Sequence, residues 1–328
     1  MRPLRIIVEE NGSYHITSRI IDKQFWLADP EVKAFFLALL FAQIDFAGLI
    51  LLDYQIMDNH VHFVVRVPAR EDLDDETLIA RVKAFSGDSA ANILAQKLEV
   101  LRAANQDDAA ESLRTRFLAR MYDLSRFMQE LKSTFSRWMN KRLGRKGPVW
   151  DDRFHSVVLE TEGEAVLAAS AYGCLNKVRA GMVDDPKDDK WCGYGAALRG
   201  CKRALAGLEE VLTCRSPLKC PTLKEYRMLV FVMGEADYEN QKDAKGRHGF
   251  DRDAVEKVLE QGGNLDMKDR FRFTCQKFLG GCILGTQPFI EKIYRANPKK
   301  LGSQRKIIGH SLQIKDLGSL CALRGKHQ

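Results

Sequence analysis

Residues 49–68 read LILLDYQIMDNHVHFVVRVP, two apolar runs separated by Asp58 and Asn59. An Asp-Asn pair between such runs suits a tight turn, so the stretch predicts an antiparallel hairpin of LILLDYQIM and HVHFVVRVP. Residues i and i+2 of a strand project to the same face. His60 and His62 therefore present two imidazoles to one side, while Val61, Phe63 and Val65 face the other. Two imidazoles make an incomplete site for a divalent ion, which needs at least one more oxygen or nitrogen from the protein. The same spacing also suits a pair of partly exposed strand histidines with ordinary hydrogen bonds.

Outward from the hairpin, SYHITSRI at 13–20 alternates as a first strand. DPEVKAFFLALLFAQIDFAG at 29–48 predicts a helix with Asp29 as N-cap, Pro30 at the first helical position and Gly48 as the stop. GPVWDDRFHSVVLE at 147–160 reads as a fourth strand and EGEAVLAASAYGCLNKVRAGMV at 162–183 as the helix after it. Between them, the helical segment ending near residue 143 carries Leu124, Phe127, Met128, Leu131, Phe135 and Trp138 on one stripe. The order β-α-β-β-α-β plus one helix is that of an α+β fold, the ferredoxin-like split βαβ arrangement, with an antiparallel sheet and helices on one face. Residues 71–118 read as an added helical hairpin, and 201–328 as a mainly helical C-terminal extension of the domain spanning 1–200.

Composition narrows the class. The 328-residue chain is 45% hydrophobic and 29% charged, enough for a substantial core. Its richest apolar run is interrupted by Gln43 and Asp45, and the N-terminus MRPLRIIVEENG lacks a signal core, so a cytoplasmic protein without a membrane span is expected. The eight cysteines form no C-x-x-C pair, which favours reduced thiols over zinc. Net charge is +7, but the basic residues cluster. Arg126, Lys132, Arg137, Lys141, Arg142, Arg145 and Lys146 fall in one stretch with a single acid, Glu130, and RANPKKLGSQRKIIG at 295–309 holds five more with none. Two such runs point toward a polyanion, with solvated charged faces as the plainer explanation.

A second pairing of polar groups lies in the helix after the fourth strand, where Tyr172 and Asn176 are four residues apart and share a face. Asn176 offers an amide oxygen and Tyr172 a phenol, although a helix tyrosine also commonly sits at a core boundary. Gly173 beside it is a residue that permits close approach.

Taken together, these motifs resemble the HUH single-tyrosine transposases, with most similarity to their REP-associated branch. The stretches that carry the resemblance are YHITSR at 14–19, MDNHVHFVVRVP at 57–68, FMQELKSTFSRWMNKRLGRKGPVWDDRFHS at 127–156 and AYGCLNKVRAGMVDDPKDDKWCGYG at 171–195. RFRFTCQKFLGGCILGTQPFIEKIY at 270–294 is similar to the C-terminal region of long members. The resemblance implies that His60, His62 and Asn176 hold Mg²⁺ or Mn²⁺ and that Tyr172 is the nucleophile. It implies cleavage and rejoining of single-stranded or hairpin DNA through a 5′-phosphotyrosine, by a monomer or homodimer that is nucleoid-associated when bound. The basic row from Arg126 to Lys146 would follow the DNA backbone, with Trp150 available for base stacking, although Trp138 and Trp150 suit the core at least as well. Two departures stand out: the usual LNPVRAG reads LNKVRAG, with Lys177 in place of proline, and Gly173 follows the tyrosine where a bulkier residue is usual. The competing reading is a non-catalytic or domesticated nucleic-acid-binding protein of the same fold, although HVHFVVRV lacks the aromatic pattern of RNA-binding strands.

Overall fold

The computed structural model describes residues 6–8, 11–215, 223, 224, 226, 227, 230, 260, 281–301, 310, 311 and 320–323. In chain order these form β1 (Gly12–Arg19), α1 (Pro30–Ala47), β2 (Ile50–Ile56), β3 (His60–Val67), α2 (Asp75–Ala103), α3 (Asp107–Leu118), α4 (Leu124–Arg142), β4 (His155–Leu159), α5 (Glu164–Arg179), α6 (Gly193–Leu198) and α7 (Lys202–Arg215). They continue with β5 (Ile283–Thr286), α8 (Gln287–Ala296), α9 (Pro298–Leu301), β6 (His310–Ser311) and β7 (Leu320–Leu323).

The local signals act where they are expected. Asp29 accepts a hydrogen bond from Glu31 N to cap α1, and Gly48 ends it in the left-handed region at φ 66°. Met57 N donates to His60 O at 2.9 Å, closing the turn over Asp58 and Asn59. β1 then pairs antiparallel with β3 on one side and β4 on the other, giving the order β2-β3-β1-β4 of the ferredoxin-like sheet. β4 is shorter than the sequence suggests. Asp151, Asp152 and Arg153 are all exposed, so this segment has no face to bury and runs as a loop held by the bridge between Ile20 and Trp150.

Two layers cover the sheet. Phe36 of α1 stacks on Phe63 of β3 with centroids 5.9 Å apart and meets Phe135 of α4 edge-on at 5.1 Å, so α1 and α4 seal the face of Val61, Phe63 and Val65. The opposite face is covered by α5, whose Ser170 reaches Asp53 of β2. At the β2 edge, beside the irregularity between Leu51 and Asp53, α7 approaches so closely that a Cβ on Gly207 would lie 2.6 Å from the Leu51 and Leu52 carbonyl oxygens. The inserted hairpin, α2 and α3, builds its own small core from Leu78, Val82, Leu94, Leu98 and Ala110 against Phe46 and Met121.

Beyond residue 200 the described elements are mostly helical, as expected, but they also lengthen the sheet. β5 joins β4 in parallel and β7 and β6 follow, making seven strands among the described residues. TQPFIEKIYRAN supplies α8, N-capped by Thr286. Two stretches of the extension that read as helices, DAVEKVLEQ at 253–261 and RFRFTCQKFLG at 270–280, lie almost wholly outside the described residues, as does the second half of the 295–309 basic run. Among the described residues no helix is long and apolar enough to cross a membrane.

Candidate active site

Strand register assembles the site. Pairing of β1 with β3 sets Thr17 opposite His62 and Arg19 opposite His60, and pairing with β4 sets His155 opposite Thr17. Opposed residues of a ladder share a face, so His15, His60, His62 and His155 line one side of the sheet. The His15 and His62 rings stack with centroids 5.2 Å apart, and His60 meets His62 edge-on at 4.9 Å.

The ring nitrogens divide into held and available ones. His60 Nδ1 lies 2.7 Å from Asn59 Oδ1, and Asn59 Nδ2 donates to Lys23 O at 3.2 Å, which fixes the amide so that its oxygen faces the imidazole. His60 therefore carries its hydrogen on Nδ1 and keeps the lone pair on Nε2. His62 Nδ1 lies 3.1 Å from both His15 Nε2 and Thr17 Oγ1, contacts that serve either tautomer of His62. His15 Nδ1 is buried without a hydrogen-bond partner among the described residues. Burial, reinforced by the charge of Arg19, pushes the His60 imidazole down to about 4, and burial beside His155 pushes His15 down to about 3. Burial first, then His60, His15 and Arg19, hold His62 well below its ordinary value. At neutral pH all three are uncharged, the state in which imidazole is a ligand.

Helix α5 brings the second group of residues to this face. The half-buried Tyr172 ring lies edge-on to His62 at 5.8 Å and to His15 at 6.1 Å, with the Arg179 guanidinium 5.6 Å from its centroid. Asn176 follows one helical turn later, and its Nδ2 is buried with no hydrogen-bond partner among the described residues. Gly173 is not required for space: a Cβ there would meet Gln55 Cβ at 4.0 Å, an ordinary contact. Among the described residues no group of three or more His, Cys, Asp or Glu side chains is placed to hold a metal ion. A cation at His60 and His62 would need its third protein donor from an amide such as Asn176.

A buried polar cluster anchors α5 beneath Tyr172. Ser170 Oγ donates to Asp53 Oδ2 at 2.5 Å and lies 2.7 Å from Tyr226 Oη, while Tyr54 N donates to Asp53 Oδ1 at 2.8 Å. Burial pushes the Asp53 carboxyl up to about 6, against the lowering effect of these hydrogen bonds. Because the folded-state value exceeds that of an unfolded aspartate, folding takes up a proton between about pH 4 and pH 6. Asp53 thus contributes stability that is lost as pH rises through that window, on the order of 3 kcal/mol. Denaturant titrations across pH 4 to 8 should show Asp53→Asn nearly level with wild type at the acid end and more stable by about that amount above pH 7. Parallel curves at every pH would contradict it.

The basic row is less unified than its sequence. It lies on α4 and the following loop, and α4 packs on the Phe63 face, away from Tyr172. Arg126, Arg137, Lys141 and Lys146 are exposed. Lys132 Nζ donates to Asp152 O, and Arg142 is paired with Asp29 and Glu31. Arg145 lies over the Trp26 ring at 4.5 Å. Trp150 must be corrected as a base-stacking residue: it is 7% exposed, packs against Phe36 and Phe135, and donates Nε1 to Lys132 O. Thr17 and Asp53 share this face but were not singled out from the sequence; Asn59 is legible there only as a turn former, and His15 only as part of a matching segment with no catalytic role.

No family model and no curated protein matches the chain. Among solved structures, a REP-associated tyrosine transposase bound to a REP hairpin is similar at 14% identity, over 61% of this chain and 87% of that one, with a TM-score of 0.37.

Proposed function

We propose that this chain is a DNA transposase or endonuclease that cuts and rejoins single-stranded or hairpin DNA through Tyr172. One observation carries the reading: a phenol on α5 stands 5.8 Å, ring to ring, from His62, on the sheet face where His60 and His62 are neutral and His60 keeps its Nε2 lone pair. The Tyr172 oxygen attacks a DNA phosphate, forming the phosphotyrosine O–P bond as the P–O3′ bond breaks. The phenol proton is given up and the departing 3′ oxygen gains one. The positive charge of Arg179 beside the ring stabilises the negative charge that develops as the phenol gives up its proton. Because the phosphotyrosine remains a phosphodiester, a 3′-hydroxyl reverses the step and joins a strand without an external energy source.

The donor set suits Mg²⁺ or Mn²⁺, with His60, His62 and the amide of Asn176 as ligands and the remaining positions left to water and DNA. Bound there, the cation supplies Lewis-acid stabilisation of the phosphate under attack. Asn59 holds His60 in the ligating tautomer, and Thr17 Oγ1 lies 3.1 Å from Nδ1 of His62. The protein acts on DNA in the cytoplasm, as a monomer or a homodimer.

The test is a denaturing gel with labelled single-stranded hairpin DNA from the flanks of the gene. Wild type with Mn²⁺ should yield a covalent protein–DNA species that chelator prevents. His60→Ala/His62→Ala should lose it while still retaining DNA on a native gel. An adduct indifferent both to chelator and to the double variant would remove the histidines from the mechanism.

A further inference from the structure

The segment between β1 and α1 has three features that the chemistry above does not use. Phe25 is 66% exposed, unlike its neighbours Trp26 and Leu27, which pack inward. Asp22 and Lys23 sit consecutively in the left-handed region, at φ 52° and 56°. Two successive non-glycine residues there cost energy, and the loop persists only because its surroundings determine it.

Those surroundings are the candidate site. Ile20 N donates to Asn59 O and Leu27 N to Asp58 O, so the segment is stitched to the hairpin turn from both ends. Lys23 O receives the Asn59 amide whose oxygen fixes His60. The loop is therefore one side chain away from a ligating imidazole. Arg19 is exposed and directly opposite His60, Lys23 is exposed, and Arg145 lies over Trp26. Asp22 is the exposed acid of the loop, while Asp29 and Glu31 are paired with Arg142 and Asp58 with Lys33.

We infer that this loop is a nucleobase-stacking subsite: Phe25 carries the unpaired base next to the phosphate that Tyr172 attacks, and Arg19, Lys23 and Arg145 meet the flanking phosphates. The inference rests on the proposed reading of the site and deepens it. An aromatic presented to solvent among cations is the arrangement that holds single strands, since every base has a face to stack. An apolar protein partner would find a single ring here, ringed by charges. The role assigned from sequence to Trp150, which the fold buries, passes to Phe25.

The test uses the full chain and a fluorescein-labelled single strand in which 5-iodouracil replaces thymine. Phe25→Ala should weaken binding by about 5- to 150-fold, Phe25→Trp should restore it, and irradiation of wild type should crosslink the peptide containing Phe25. Because Phe25 is mostly exposed, its loss leaves the core intact, which a thermal melt verifies. If wild type forms the Tyr172 adduct while Phe25→Ala binds within twofold and no crosslink maps to residue 25, the subsite is wrong and the reading of the active site stands. If wild type neither binds single strands nor forms the adduct, both fall.

Discussion

Tyr172→Phe is expected to abolish the covalent protein–DNA adduct, a loss on the order of 10⁴-fold or more, while changing single-strand affinity by less than about twofold. The substitution removes one oxygen and leaves the ring. The edge-on contacts of that ring with His62 and His15, and its contact with Arg179, are made by carbon and π density, which phenylalanine reproduces. Tyr172 is also half-buried, so the variant creates no large cavity and leaves no neighbouring ring unsupported. A loss of adduct with an unchanged melting temperature then reports chemistry and not folding. The competing picture, a sheet that grips nucleic acid without reacting, expects no adduct in either protein and identical binding. A persistent adduct in Tyr172→Phe would move the nucleophile to another residue, which peptide mapping of the labelled species would identify.

What was legible in the sequence, and what was not, follows the range of the interactions. The hairpin, the caps of α1 and the sharing of a face by His60 and His62 are set within a few residues, by turn chemistry and the period of a strand, and each is present. Register is not local. The strand period places His15 and Thr17 on one face of β1, but nothing within SYHITSRI says that Thr17 meets His62, 45 positions away. Asn59 was legible as a turn former. Its second role, bridging Lys23 O and His60 Nδ1, depends on a carbonyl 36 residues earlier in the chain. Trp150 suits both base stacking and the core by its sequence, and its bridge to Ile20, which turns the indole into the core, decides between them. The layer formed by α5 was missed as a layer: its helix is easily read, but which side of the sheet it covers is decided by Asp53 and Gln55 on β2, far away in sequence.

Lys177 shows how one departure from an expected pattern is absorbed, and it carries the largest expected effect on stability. A lysine where the resemblance implies proline keeps the helical N–H of α5, and its ammonium would ordinarily reach solvent. Instead it is buried, with Nζ 2.7 Å from Asp189 Oδ1 and both side chains about 5% exposed or less. Asp189 in turn accepts from Gln55 Nε2 at 2.6 Å and from Trp191 N at 3.0 Å. Gln55 is the cross-strand neighbour of His62, and Lys177 directly follows Asn176. The ion pair therefore ties the helix that carries Tyr172 and Asn176 to the strand beside the histidines. Lys177→Met keeps the length and apolar stem of the side chain but leaves a buried carboxylate without its cation, a loss of roughly 3–5 kcal/mol. Lys177→Met/Asp189→Asn removes both charges and retains an oxygen for Trp191 N, so it should recover most of that loss. Urea denaturation of the wild type, the two single variants and the double variant gives the coupling directly. Additive losses, with the double variant the least stable, would show that Lys177 and Asp189 act on the fold independently and that the helix is held elsewhere, at Asp53 and Ser170.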